Sequence, residues 1–188
     1  TAAVAPNLAH SSAAEDAAAR AIMTTDTVPK HALVRADGFT VAGICKGSGM
    51  IAPNMGTMLS FVYTDADVPA DTLRECLRTA VNRSLNRVVV DGDESTNDSL
   101  FCTATGEAGK VPTEKFAAAL EEACIQLAKQ IAADGEGATK LLEVKVWILK
   151  QTDTEDVHQK PACRHLHPVP HPLFAMFLDT HLVCLKHR

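Results

Sequence analysis

Apolar residues recur three and four apart over two long stretches, the period of a helix with one buried face. Leu73, Cys76, Leu77, Ala80 and Val81 form the first stripe, opened by Val68-Pro69-Ala70-Asp71. Phe116, Leu120, Ala123, Leu127 and Ile131 form the second, which begins after Pro112-Thr113 and stops near Asp134-Gly135. An Ala-rich segment, Ala13 to Ala21, predicts a third helix, with Ser11 or Ser12 as its cap and Glu15 and Asp16 in its first turn. His31 to Cys45 alternates weakly around Asp37-Gly38, which predicts a hairpin. Met58 to Thr64 is apolar and β-prone and reads as a buried strand. Arg87 to Val90 and Leu100 to Ala104 are short strands around the polar connection DGDESTND, and Leu141 to Ile148 alternates as a further strand. The sum predicts an α/β chain of the α+β type, with helices stacked on mixed, largely antiparallel sheets. No internal repeat is visible.

The pattern changes after Ile148. Six of the eight His and four of the nine Pro fall in 151–188, and Thr152 to Pro172 carries neither period. The expected organisation is a loose segment 1–13, a domain 14–148, and a divergent, irregular His/Pro-rich tail 149–188. The tail clusters donors at Cys163, His165, His167 and His171, but their spacing matches no structural zinc pattern, and a disordered tail is the favoured reading. Hydrophobic residues make up 46% of the 188 and charged residues 22%, so disorder along the whole chain is excluded. A net charge of -5 and 4% aromatic residues argue against nucleic acid, a base-stacking platform or an anionic membrane as partner. The longest uncharged run, Gly47 to Thr64, is broken by Gly, Pro, Ser and Asn and does not read as a membrane helix. The start TAAVAPNLAH has no signal-peptide pattern and no initiator Met, so the chain is expected to begin within a longer protein. Six widely spaced Cys without a CxxC pair read as reduced thiols, several of them buried.

Candidate chemistry concentrates in AGICKGSGMIAPNMGTMLSF, residues 42–61: a cation, Lys46, then a Gly-rich loop, then Gly56-Thr57 before an apolar strand. A Thr hydroxyl at such a junction can attack the preceding carbonyl, shift the acyl group from nitrogen to oxygen, and leave an ester that water opens. Thr57 would then be a new N-terminus, its α-amine, with an ordinary pKa of about 7.7–8.0, serving as base for its own hydroxyl. The small Gly56 leaves room for the distorted peptide. An ordinary loop Thr is the plain alternative.

Four segments carry a resemblance: AARAIMTTDTVPK at 18–30, AGICKGSGMIAPNMGTML at 42–59, AVNRSLNRVVVDGDESTNDS at 80–99 and IAADGEGATKLLEVKV at 131–146. In this order and spacing they resemble the ornithine acetyltransferase (glutamate N-acetyltransferase, ArgJ) family of arginine biosynthesis over roughly residues 14–146. The resemblance implies a DmpA/ArgJ-like fold and self-cleavage between Gly56 and Thr57, with Gly56 replacing the family's usual Ala. Thr57 would be the nucleophile that carries the acetyl group, and Thr24, Lys46 and Glu136 would bind substrate, Lys46 the carboxylate and Glu136 the ornithine amine. Without the family, Lys46 reads as a solvated loop charge, Thr24 as a turn or cap residue, and Glu136 as a surface acid. Asp91, Asp93, Glu94 and Asp98 invite a hard-cation reading, but the resemblance gives them a structural loop, so no metal is expected.

The implied reaction moves acetyl from N-acetylornithine to glutamate by ping-pong covalent catalysis with no cofactor, acetyl-CoA being an alternative donor in some members. The expected partner is the other cleavage product, in a hetero-oligomer. The expected compartment is the cytoplasm, or the mitochondrial matrix for a eukaryotic source. Nothing here matches the family's Thr-Gly oxyanion pair or its C-terminal binding element, so the expectation is a partial chain whose tail is a different reading of the gene or an alternative end. Two rivals stand beside the transferase: an N-terminal-nucleophile amidohydrolase or aminopeptidase, and an inactive fragment.

Overall fold

The computed structural model of the chain describes residues 9, 11–52 and 58–144, and the backbone of 145 and 174–179. Helix α1, Ser12–Ala21, starts where the serine pair predicts: Ser11 is the cap, its hydroxyl accepting the Ala14 N–H at 3.1 Å. Strands β1 (Lys30–Ala36) and β2 (Phe39–Lys46) form the predicted hairpin, with Ala36 opposite Phe39 and Gly38 at a φ of +86° in the turn. Strand β3 (Leu59–Asp67) runs antiparallel to β2, helix α2 (Ala70–Asn82) follows, and a short 3-10 turn at Leu85–Arg87 leads into β4 (Val88–Val89).

Strand β5 (Ser99–Lys110) is longer than Leu100 to Ala104 suggested. It pairs parallel to β3 with a register shift between Thr64 and Ala66, and Gly106 and Gly109 adopt positive φ in its second half. Glycine and polar residues, which look like a strand's end in sequence, are tolerated at a shifted sheet edge. Helix α3 (Thr113–Ala133) and β6 (Lys140–Lys145) complete the domain; Val146 to Ile148 lie outside the described residues.

The main sheet has the order β1-β2-β3-β5, and α3 packs across β1 and β2, with α2 against α3. The predicted stripe of α3 is the core: Phe116, Leu120, Ala123 and Leu127 are 0% exposed and Ile131 1%. The helix approaches the sheet over Gly43, where a Cβ would stand 3.0 Å from the Phe61 carbonyl oxygen and 3.4 Å from a Leu127 methyl. Helix α1 lies on the opposite face, where the Tyr63 hydroxyl donates to Glu15 at 2.7 Å. This double cover explains why β2 is buried on both faces rather than alternating.

The irregular tail needs one correction. Phe174–Asp179 is a strand, β7, filling the slot between β4 (antiparallel) and β6 (parallel) in a second sheet. Its apolar run Phe174 to Leu178 is short, and the preceding His/Pro-rich text hides it; pairing satisfies backbone groups that two separate short strands would leave open. The zinc-like donors Cys163, His165, His167 and His171 lie outside the described residues.

Candidate active site

The site forms where β2 ends. Lys46 pairs with Leu59 in the β2–β3 ladder, and Leu59 follows Thr57 by two residues. Gly56 and Thr57 themselves lie outside the described residues. The Lys46 ammonium donates to the Thr24 hydroxyl at 3.4 Å, so two candidate binding residues 22 positions apart meet across the fold. A cation beside a hydroxyl is suited to receiving a carboxylate.

The loop leaving Lys46 leads to the third candidate. The Ser48 hydroxyl donates to the Asp134 carbonyl at 2.7 Å, and the Glu136 N–H donates to the Ser48 carbonyl at 2.7 Å. Glu136 is exposed, and its carboxylate lies against Gly49 so closely that a Cβ there would collide with it. The turn after α3 therefore hangs Glu136 over the Gly-rich loop, with its anionic end open to a ligand's ammonium group.

A buried charge cluster holds these pieces together. The Lys30 ammonium donates to Asp26 Oδ1 and to Asp134 Oδ2, both at 2.6 Å, and the three side chains are 0%, 0% and 5% exposed. Asp26 also accepts the Gly47 N–H at 2.7 Å and the Thr24 N–H at 3.2 Å. One carboxylate thus fixes the backbone beside Lys46 and the backbone of Thr24. Asp134 accepts the N–H and hydroxyl of Thr27, which ties the Thr24 segment to the Glu136 turn. Burial raises the Asp26 pKa, but the Gly47 N–H, Lys30 and the Thr24 N–H outweigh it and hold it below the ordinary 3.8. Asp134 is likewise raised by burial and lowered further by Lys30 and Thr27, with a net depression. Both are therefore carboxylates at neutral pH.

Sequence reading missed Asp26, Lys30, Ser48 and Asp134. For Lys30 a signal existed: in the alternation of β1 it shares the inward face with Ala32, where a lysine needs a buried counter-charge.

The acidic connection between β4 and β5 also has a definite place. Asp91 accepts the N–H of Met50 at 2.5 Å and of Ile51 at 3.0 Å, and Asp98 accepts the Met58 N–H at 2.6 Å. Burial raises the Asp98 pKa, against the Met58 N–H and the charge of Lys46. Among the described residues no group of three or more His, Cys, Asp or Glu is arranged to hold a metal ion. No helix among them is long and apolar enough to cross a membrane. The described cysteines, Cys45, Cys76, Cys102 and Cys124, form no disulfide, and all but Cys102 are buried.

The sequence profile of the ArgJ family matches residues 1–160. An "Arginine biosynthesis bifunctional protein ArgJ" of Rhodococcoides fascians is 55% identical over 130 residues, covering 69% of this chain and 32% of the relative. A "Glutamate N-acetyltransferase" of Methanosarcina acetivorans is 54% identical over 135 residues, covering 69% of this chain and 34% of the relative. A crystal structure of an ArgJ protein from Bacillus halodurans superposes with a TM-score of 0.43 at 47% identity, covering 45% of this chain and 43% of that one. The chain spans about a third of the length of the curated relatives it matches. With the profile spanning most of its length, the chain belongs to the ArgJ family.

Proposed function

We propose that this chain supplies the nucleophile and part of the substrate site of an acyltransferase that moves an acetyl group from N-acetylornithine to glutamate. One observation carries the reading: the Lys46–Thr24 pair stands at the end of β2, opposite the start of the strand that follows Thr57. The Thr57 hydroxyl first attacks the Gly56 carbonyl, and water opens the resulting ester, leaving Thr57 with a free α-amine. In the transfer cycle that amine takes the hydroxyl proton as the oxygen attacks the acetyl carbonyl. The C–N bond of N-acetylornithine breaks, ornithine leaves with the proton on its amine, and an acetyl-Thr57 ester remains. The glutamate amine attacks this ester, N-acetylglutamate departs, and the Thr57 hydroxyl regains its proton.

Lys46 and Thr24 receive the substrate carboxylate, and Glu136 receives the side-chain ammonium of ornithine. Acetyl-CoA is an alternative donor for the same Thr57. The two cleavage products stay together as partners in a hetero-oligomer, and the reaction needs no cofactor. The cytoplasm is the proposed compartment, or the mitochondrial matrix in a eukaryotic source.

Intact-mass measurement tests the reading. The chain incubated at neutral pH is expected to break between Gly56 and Thr57, and the Thr57-bearing piece to gain one acetyl group from N-acetylornithine. Thr57→Ala should remain one piece and gain nothing; acetyl transfer by that variant would refute the assignment.

A further inference from the structure

The acidic connection between β4 and β5 grips the chain on both sides of Gly56-Thr57. Upstream, Asp91 accepts the Met50 and Ile51 N–H groups, and the Val90 N–H donates back to the Ile51 carbonyl at 2.9 Å. Met50 is held there at a φ of +56°, and no other non-glycine residue among those described has positive φ. Such a conformation persists only where its surroundings enforce it. Downstream, Asp98 accepts the Met58 N–H, and the Ser99 N–H donates back to the Met58 carbonyl at 3.0 Å. The two grips repeat one pattern: a carboxylate on an N–H and a neighbouring N–H on the carbonyl of the same short stretch.

The second oxygen of Asp98 is buried with no hydrogen-bond partner among the described residues. A carboxylate kept in that state is unfavourable for folding alone, since an unsatisfied buried acceptor costs about 1–3 kcal/mol.

We propose that Asp91 and Asp98 are positioning residues for self-cleavage, clamping the residues before and directly after the Gly56–Thr57 junction so that hydroxyl and carbonyl meet in attack geometry. This rests on the proposed nucleophile Thr57. The acyl shift is intramolecular, and its rate depends steeply on alignment; a misplacement of about 1 Å can lower such rates about a hundredfold. A clamp on both flanks supplies that alignment. It also gives Asp91 and Asp98 of DGDESTND a use other than cation binding.

The test follows the cutting rate of the purified full chain by intact mass, beside far-UV circular dichroism melts. Asp98→Ala, still folded, should cut about tenfold slower or worse. Asp98→Asn keeps an oxygen acceptor for the Met58 N–H and should cut within about threefold of the parent rate. Asp91→Ala should slow cutting as Asp98→Ala does, and it carries the test if Asp98→Ala does not fold. Folded alanine variants that cut at the parent rate would overturn the clamp while leaving Thr57 as nucleophile. Slowing only in proportion to the unfolded fraction would overturn it equally, since that marks a role in stability alone. A parent chain that never cuts overturns the nucleophile, and the clamp with it.

Discussion

Replacing Lys30 with Met removes the cation that two buried carboxylates share. Each pair is 2.6 Å long, and at an effective dielectric constant of about 20 each represents about 6 kcal/mol of gross attraction. Desolvation of three charges offsets most of that, so the intact cluster adds little net stability. Its disruption is different. Met nearly preserves the volume of Lys, but Asp26 and Asp134 are left as close, buried, like charges. A penalty of about 3–5 kcal/mol is expected at pH 7, which for a domain of this size lowers Tm by roughly 10 °C.

The pH dependence has a fixed sign. In the parent, both carboxyls have pKa values below 3.8, so their contribution is present above the unfolded value and is lost as pH falls through the folded one. In Lys30→Met the lowering partner is gone and burial dominates. The folded pKa of at least one acid then exceeds its unfolded value, and stability returns as pH falls through it. The Tm gap between parent and variant should therefore narrow between pH 7 and pH 4.5. Thermal melts monitored by circular dichroism, with Thr57→Ala in both chains to keep them uncut, measure this directly. A variant melting within about 2 °C of its parent at pH 7, or a gap that does not change with pH, would refute the reasoning.

Two further predictions concern the site and the thiols. Gly49→Ala forces the Glu136 carboxylate aside; because that is the free end of a flexible side chain, stability should fall by less than about 1 kcal/mol. Under the proposed function, KM for N-acetylornithine should rise severalfold in steady-state assays of the assembled enzyme, and an unchanged KM would count against Glu136 as the ammonium partner. Burial pushes the Cys45 and Cys124 thiols up to about 12, so at pH 8 both should resist iodoacetamide in the folded chain and label fully in denaturant. Rapid labelling of Cys45 under native conditions would show that the sheet is not closed over it.

The helices were legible because each obeys a local rule. The α3 stripe needs only its own spacing, and α1 needs only its serine cap; both are decided within a few residues of sequence. The hairpin at Asp37-Gly38 is equally local. What escaped was non-local pairing. The second half of β5 follows a register shift against β3, and β7 joins strands far away in the chain, so neither leaves a period of its own.

The site divides along the same line. Motif matching nominates Thr24, Lys46, Glu136 and the Gly56-Thr57 junction as candidates, the junction lying outside the described residues. That Lys46 reaches Thr24, that Glu136 hangs over Gly49, and that Asp26, Lys30 and Asp134 lock these segments together were decided by the tertiary structure alone. The reason is physical: a hydrogen bond or ion pair acts over about 3 Å, and only the folded backbone sets which residues, 22 or 104 positions apart, come within that reach.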